Sequence, residues 1–154
     1  MSTGSRIDRQ RRYELVHEHL AVRLALTVGG ATLVLAGSAM PWTHGLVGTT
    51  GPVTDGRLGG AGKYTAALAV AVIGCAAWYY ARPEHRPARF GATLAGVLLL
   101  LAIVDWNVVS DDVESANHDA GLFAQAAVSV GVWVLLAGAV LAATGAVWTL
   151  RVDR

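Results

Sequence analysis

Three groups of side chains in this sequence have the types and spacing to do chemistry. Asp105 follows an ionisable-free run from Phe90 to Val104 and precedes Trp106 and Asn107. A carboxylate inside an apolar span is costly and often marks an ion or proton pathway. An indole beside it instead fits the membrane–water interface, where tryptophan concentrates. An interfacial or structural role is the simpler expectation for Asp105, and a proton or cation site the sharper one.

The second group is the acidic stretch after it, with Asp111, Asp112, Glu114 and Asp119 and no basic residue between. Carboxylate oxygens suit a hard cation, but the run lacks the alternating ligands and glycine of an EF-hand. A solvated outer loop explains it more simply. The third group is His44 and His118, which with Asp112 or Asp119 make weak candidates for a transition metal or a polar catalytic site between loops. His17-Glu18-His19 has the wrong spacing for two ligands on one helical face. No serine-nucleophile elbow and no paired-histidine zinc motif occurs. The chain is therefore expected not to be an enzyme and to hold no cofactor. Haem in the membrane would need a buried histidine, and all five histidines fall outside the apolar runs. The lone Cys75 excludes an internal disulfide and fits a small packing residue.

The elements that must position these groups are set by where charge is missing. Hydrophobic residues make up 54% of the 154 residues and charged ones 15%, against roughly 25% charge in soluble domains. A helix needs about 20 apolar residues to cross the hydrocarbon core. Four stretches qualify, at about 24–43, 64–81, 90–109 and 122–149. Backbone groups in lipid must be satisfied internally, so these runs are expected to be helices. The fourth is long and must tilt, protrude or begin with an exposed turn. The expected fold is an all-α integral membrane protein, a four-helix bundle over 24–150 with a basic segment 1–23 and a tail 151–154.

Orientation follows from the connections. Ten basic residues lie in the N-terminal segment, the 82–89 loop and the C-terminal tail, against Arg57 and Lys63 in the other two loops. The positive-inside rule puts both termini on the cytoplasmic side of the cell membrane. Trp42 and Trp106 then mark outer ends, and Trp78, Tyr79, Tyr80 and Trp148 inner ends. Segment 1–23 carries Tyr13, Val16, Leu20 and Leu24 at helical spacing, so it is either a plain lead-in or an interfacial helix. It is long for a secretory leader, and span one is expected to be retained.

Small residues supply the remaining pattern. Gly131, Gly138 and Gly145 recur every seven residues, with Ala124 extending the row. Such spacing keeps small residues on one helix face, where backbones approach closely. Packing inside the bundle is the simpler use, and a seam for another subunit or a second copy the alternative. The first outer loop, 41–63, holds seven glycines but no Walker spacing, which argues against nucleotide binding. Ala39-Met40-Pro41-Trp42 and Ile103-Val104-Asp105-Trp106 suggest a faint internal repeat. In layout the chain resembles claudin-type four-span proteins, from which it departs in lacking their outer cysteine pair. The arginine-rich, alanine-rich composition points to a GC-rich prokaryotic genome or its virus.

The expected function is a non-enzymatic accessory or structural subunit of a larger membrane assembly, acting through helix packing. The alternative is a small transporter or ion-conducting oligomer using Asp105 and the acidic stretch. Expected partners are membrane lipids and other integral membrane subunits or the chain itself, and no nucleic acid.

Overall fold

The computed structural model describes the backbone over residues 4–45, 62–82, 85–120 and 126–152, and side chains within 19–43, 62–82, 86–118 and 127–151. Four helices account for most of it: α1 (Gly4–Ala39), α2 (Gly62–Ala81), α3 (His85–Ala120) and α4 (Val130–Val152). All four contain a stretch long and apolar enough to cross a membrane: His19–Ala39, Gly62–Ala81, Arg86–His118 and Val130–Arg151. Their outward faces carry Val70, Leu100, Val104, Val108, Val130 and Val140, each about half exposed or more. Water would penalise such a surface, whereas lipid is an adequate solvent for it.

Local chemistry explains the helix limits. Pro41 cannot continue α1, and its predecessor is held off helical geometry. The orphan carbonyl of Gly37 accepts the Met40 amide at 3.3 Å and the Trp42 indole N–H at 3.0 Å, which caps the helix end. Pro87 falls at the third residue of α3, where the missing N–H has no intrahelical partner to lose. Two short strands, β1 (Thr43–Gly45) and β2 (Ala126–Val128), pair antiparallel with His44 opposite Ala127. The Ser129 amide then donates to the Trp42 carbonyl at 2.7 Å. This ribbon ties the chain after α1 to the chain before α4.

Helix lengths differ from the sequence expectation in ways that matter. α4 starts at Val130, so 126–128 is strand and the fourth span is a 23-residue helix of about 34 Å. Trp133 is thus in its first turn. α3 runs unbroken for 36 residues, and the acidic stretch expected as a loop is its last turns. No proline or glycine interrupts residues 97–120, and Asp, Glu and Asn are tolerated in a helix outside the apolar zone. The faint repeat therefore diverges at its best match: α1 stops before Pro41-Trp42, while α3 continues 14 residues past Trp106. α1 is also 36 residues long and continuous from Gly4, so no break separates segment 1–23 from the first span. Most of the glycine-rich connection lies outside the described residues.

Each helix turns one narrow row inward. On α3 it runs Ala88, Gly91, Ala95, Leu98, Ala102 and Val109, all buried. On α2 it is Thr65, Ala69, Val72, Ala76 and Tyr79. The three- and four-residue steps are those of left-handed, knobs-into-holes packing. The helices pack as a ring in which each touches its two sequence neighbours and α4 closes on α1.

Candidate functional site

Among the described residues the tightest contact is the α1–α4 seam. Gly131, Gly138 and Gly145 all face α1. A Cβ on Gly138 would lie 2.6 Å from the Gly30 carbonyl oxygen and 2.8 Å from the Val34 amide nitrogen. One on Gly37 would lie 2.7 Å from the Gly131 carbonyl oxygen, and one on Gly145 would lie 2.9 Å from the Arg23 carbonyl oxygen. Arg23, Gly30 and Gly37 are themselves seven apart, so two heptad rows mesh in opposite chain directions. At Gly30 and Gly138 the nearest atom is backbone, which a methyl group could not displace, whereas at Gly145 the nearest atom is the Thr27 hydroxyl oxygen. The row is thus occupied within the chain. Ala124 lies outside the described residues.

Several described hydroxyl and amide groups, some buried and some on exposed faces, are satisfied by their own helices. Thr27, Thr32, Ser38, Thr93, Thr144 and Thr149 donate to the carbonyl four residues earlier at 2.8–3.0 Å. The Asn107 amide does the same to Ile103. Ser38 and Thr65 also meet across α1 and α2 at 3.1 Å. Thr65 has its own carbonyl acceptor in Gly62 at 3.0 Å. Each hydroxyl has one proton, so only one of the pair donates across the contact at a time.

Among the described residues, two buried polar atoms fall outside this pattern. Asp105 Oδ2 and Arg23 Nε are buried without a hydrogen-bond partner. Buried polar atoms are nearly always paired, so each exception asks for an explanation. Asp105 continues the inward row of α3, four residues before Val109 and three after Ala102. It lines an open groove of about 630 Å³ with Tyr64, Thr65, Ala67, Leu68 and Leu101, between the start of α2 and α3. Beside it Trp106 packs against Trp133 in a tilted contact, ring centroids 4.2 Å apart at 57°. With Trp42 buried nearby under the ribbon, three of the five tryptophans gather at this end. Asp105 therefore sits level with this tryptophan cluster, on the bundle side of its helix.

The other candidates do not join it. Asp111, Asp112 and Glu114 are exposed on α3 beyond the tryptophan layer, and the Asp119 side chain is outside the described set. Among the described residues no group of three or more His, Cys, Asp or Glu is placed to hold a metal. His118 is exposed near the end of α3; His44 stands in β1 with its side chain undescribed. Cys75 packs toward Gly91, where a Cβ would come within 3.3 Å of its own Cβ.

Arg23 is the residue the sequence reading passed over. It is counted there among the basic residues of the N-terminal segment, yet only 6% of its surface is exposed. Its guanidinium carbon lies 5.8 Å from the centroid of the Trp148 ring, a cation–π contact. The signal was available: Arg23 is seven residues before Gly30, in the row that meets α4. Comparison with protein-family models, curated proteins and solved structures returned no match.

Proposed function

We propose that this chain is a multi-pass protein of the cytoplasmic membrane, with both termini on the cytoplasmic side, serving as a non-enzymatic accessory or structural subunit of a larger prokaryotic or virion-membrane assembly. The supporting observation is the unequal length of the helices. α2 has 20 residues and α4 has 23, enough for the bilayer, while α1 and α3 have 36 each. At 1.5 Å per residue the surplus is about 20 Å on each long helix. α1 carries its surplus before His19, at the basic end, and α3 carries its own after Trp106, at the acidic end. A polar helical arm of this length is marginal alone in water, and packing on another surface is what normally stabilises it. The closed glycine row of α4 is not available for this role, which shifts the partner surface from the spans to the arms.

Affinity purification of the full chain in mild detergent, followed by native sizing and mass spectrometry, tests this. Stoichiometric partners are expected, and replacing Asp111, Asp112 and Glu114 by Lys, or Arg6, Arg9, Arg11 and Arg12 by Glu, should release at least one of them. A partner-free monomer would sink it. Orientation is checked separately with a membrane-impermeant maleimide on intact cells: Ser115→Cys should label and Ser2→Cys should not.

A second reading rests on a different observation, the buried, unpartnered Oδ2 of Asp105 on the inward row beside an open groove. It makes the chain a small cation or proton conductor. Asp105→Asn should then abolish flux in reconstituted vesicles, and normal flux would remove Asp105 from any such path.

A further inference from the structure

The groove between the start of α2 and α3 changes character along its length. Tyr64 and Thr65 stand in the first turn of α2, and Asp105 lines the groove with them from α3. Leu68 follows Tyr64 by four residues and Leu101 precedes Asp105 by four, so each repeats the same helix face one turn deeper into the apolar spans. The groove thus has a polar end level with the tryptophan cluster and apolar walls beneath it. Its volume of about 630 Å³ is that of a small-molecule site.

The polar end carries a carboxyl group. Asp105 is partly exposed, with Oδ2 buried and without a hydrogen-bond partner. A carboxylate shares its charge between both oxygens and its terminal torsion is broad, so a cation in the groove need not reach Oδ2 itself. Of the two cations that the sequence places at this end, Arg57 lies outside the described residues. The other, Lys63, is exposed and holds its ammonium 5.1 Å from the centroid of the Tyr64 ring. That ring, on a residue 63% exposed, therefore already serves a cation at the groove's edge, and an incoming one would displace only a solvated lysine. A hard metal ion takes six or more oxygens. The lining offers fewer, the Asp105 carboxyl and the hydroxyls of Tyr64 and Thr65, and the Thr65 proton is engaged by the Gly62 carbonyl. An organic ammonium needs one counter-charge, an aromatic face and apolar walls, and this groove has all three.

We propose that the α2–α3 groove binds an amphiphilic organic ammonium, its head at Asp105 and Tyr64 and its apolar body against Leu68 and Leu101. Tyr64 and Ala67 are exposed, so the groove opens on the outward face of the helix pair and is reached without passing through the bundle. The site deepens the second reading above and rests on it in one respect, that Asp105 serves a cation. It requires binding and no conduction.

The probe is dansylcadaverine, a primary ammonium with an aromatic body, added to the full chain in dodecyl maltoside. Energy transfer from tryptophan to the dansyl group reports binding, and it should saturate at one probe per chain. The N-acetyl derivative keeps the body without the charge and should bind at least about tenfold more weakly. Asp105→Asn, which preserves shape, should weaken binding of the charged probe by a similar factor. Tyr64→Leu, at an exposed position, should weaken it about two- to fivefold. Equal affinity for the probe and its acetyl derivative, unchanged affinity in Asp105→Asn, or displacement by millimolar calcium would overturn the proposal. Saturable binding by a protein that passes no cations would sink the conductor and support this site. Flux that depends on Asp105, without probe binding, would sink this site and leave the conductor standing.

Discussion

Along α1 and α4 the backbones touch, whereas α2 and α3 stand far enough apart near the ribbon to leave a groove of about 630 Å³. Both pairs are antiparallel neighbours in one ring, and both use inward rows at heptad spacing. They differ in what occupies the row. Glycine at positions 30, 37, 131, 138 and 145 lets carbonyls and amides meet across the α1–α4 seam, which lipid cannot match as a partner. On α3 the row passes from alanine and leucine to Asp105, which lines that groove and whose buried Oδ2 finds no hydrogen bond. A seam of small residues makes a rigid pair. A polar interruption in the same pattern leaves an opening.

The sharpest way to break the comparison is to fill the seam. Gly138→Leu should prevent accumulation of folded protein, because the added side chain meets backbone and not a movable neighbour; detergent-extracted yield and helical content check this. Gly138→Ala and Gly30→Ala should each cost about 1–3 kcal/mol by overpacking, measured by thermal or denaturant unfolding in micelles. The control is Gly74→Ala, where a Cβ meets nothing within 4 Å. There the change should be neutral or stabilise by up to about 1 kcal/mol through helix propensity. A similar loss at Gly74 would show that the seam is not special.

At the groove the sign should reverse. Asp105→Leu removes a buried acceptor without a partner, and should stabilise by about 1–3 kcal/mol. Destabilisation would mean that Asp105 has a counter-group in the folded protein. Smaller still, Trp106→Ala should cost about 0.5–1.5 kcal/mol beyond lost area, the coupling expected of an aromatic pair. A double-mutant cycle with Trp133→Ala isolates that value. A comparably small effect is expected for Ser38→Ala, about 1 kcal/mol, since the hydroxyl mainly bonds its own helix.

Asp105 illustrates how far residue types reach. Its neighbours Trp106 and Asn107 already imply a shallow depth, and its place in the α2–α3 groove follows only from packing. A row through Ala88, Gly91, Ala95, Leu98 and Ala102 would have pointed inward through Asp105, but without the facing helices any of several rows on an apolar helix could be the inner one. Arg23 is the converse case. Counted with the tail it reads as a cytoplasmic charge, and only the approach of α4 turns it into a buried cation under Trp148. The acidic stretch reads as a loop because its polarity resembles loop composition, while helix continuation depends on the absence of breakers.

Charge-free length determined the four apolar helices from the sequence alone, because covering the hydrocarbon core with self-satisfied backbone leaves no other structure of that size. The seven-residue glycine row likewise marked a close-approach face on α4 before any partner was known. Which helix fills that face, where the third and fourth helices begin and end, and which charges are left without partners were decided by tertiary packing. Those outcomes depend on what stands opposite each residue, and an isolated helix carries no record of its neighbour.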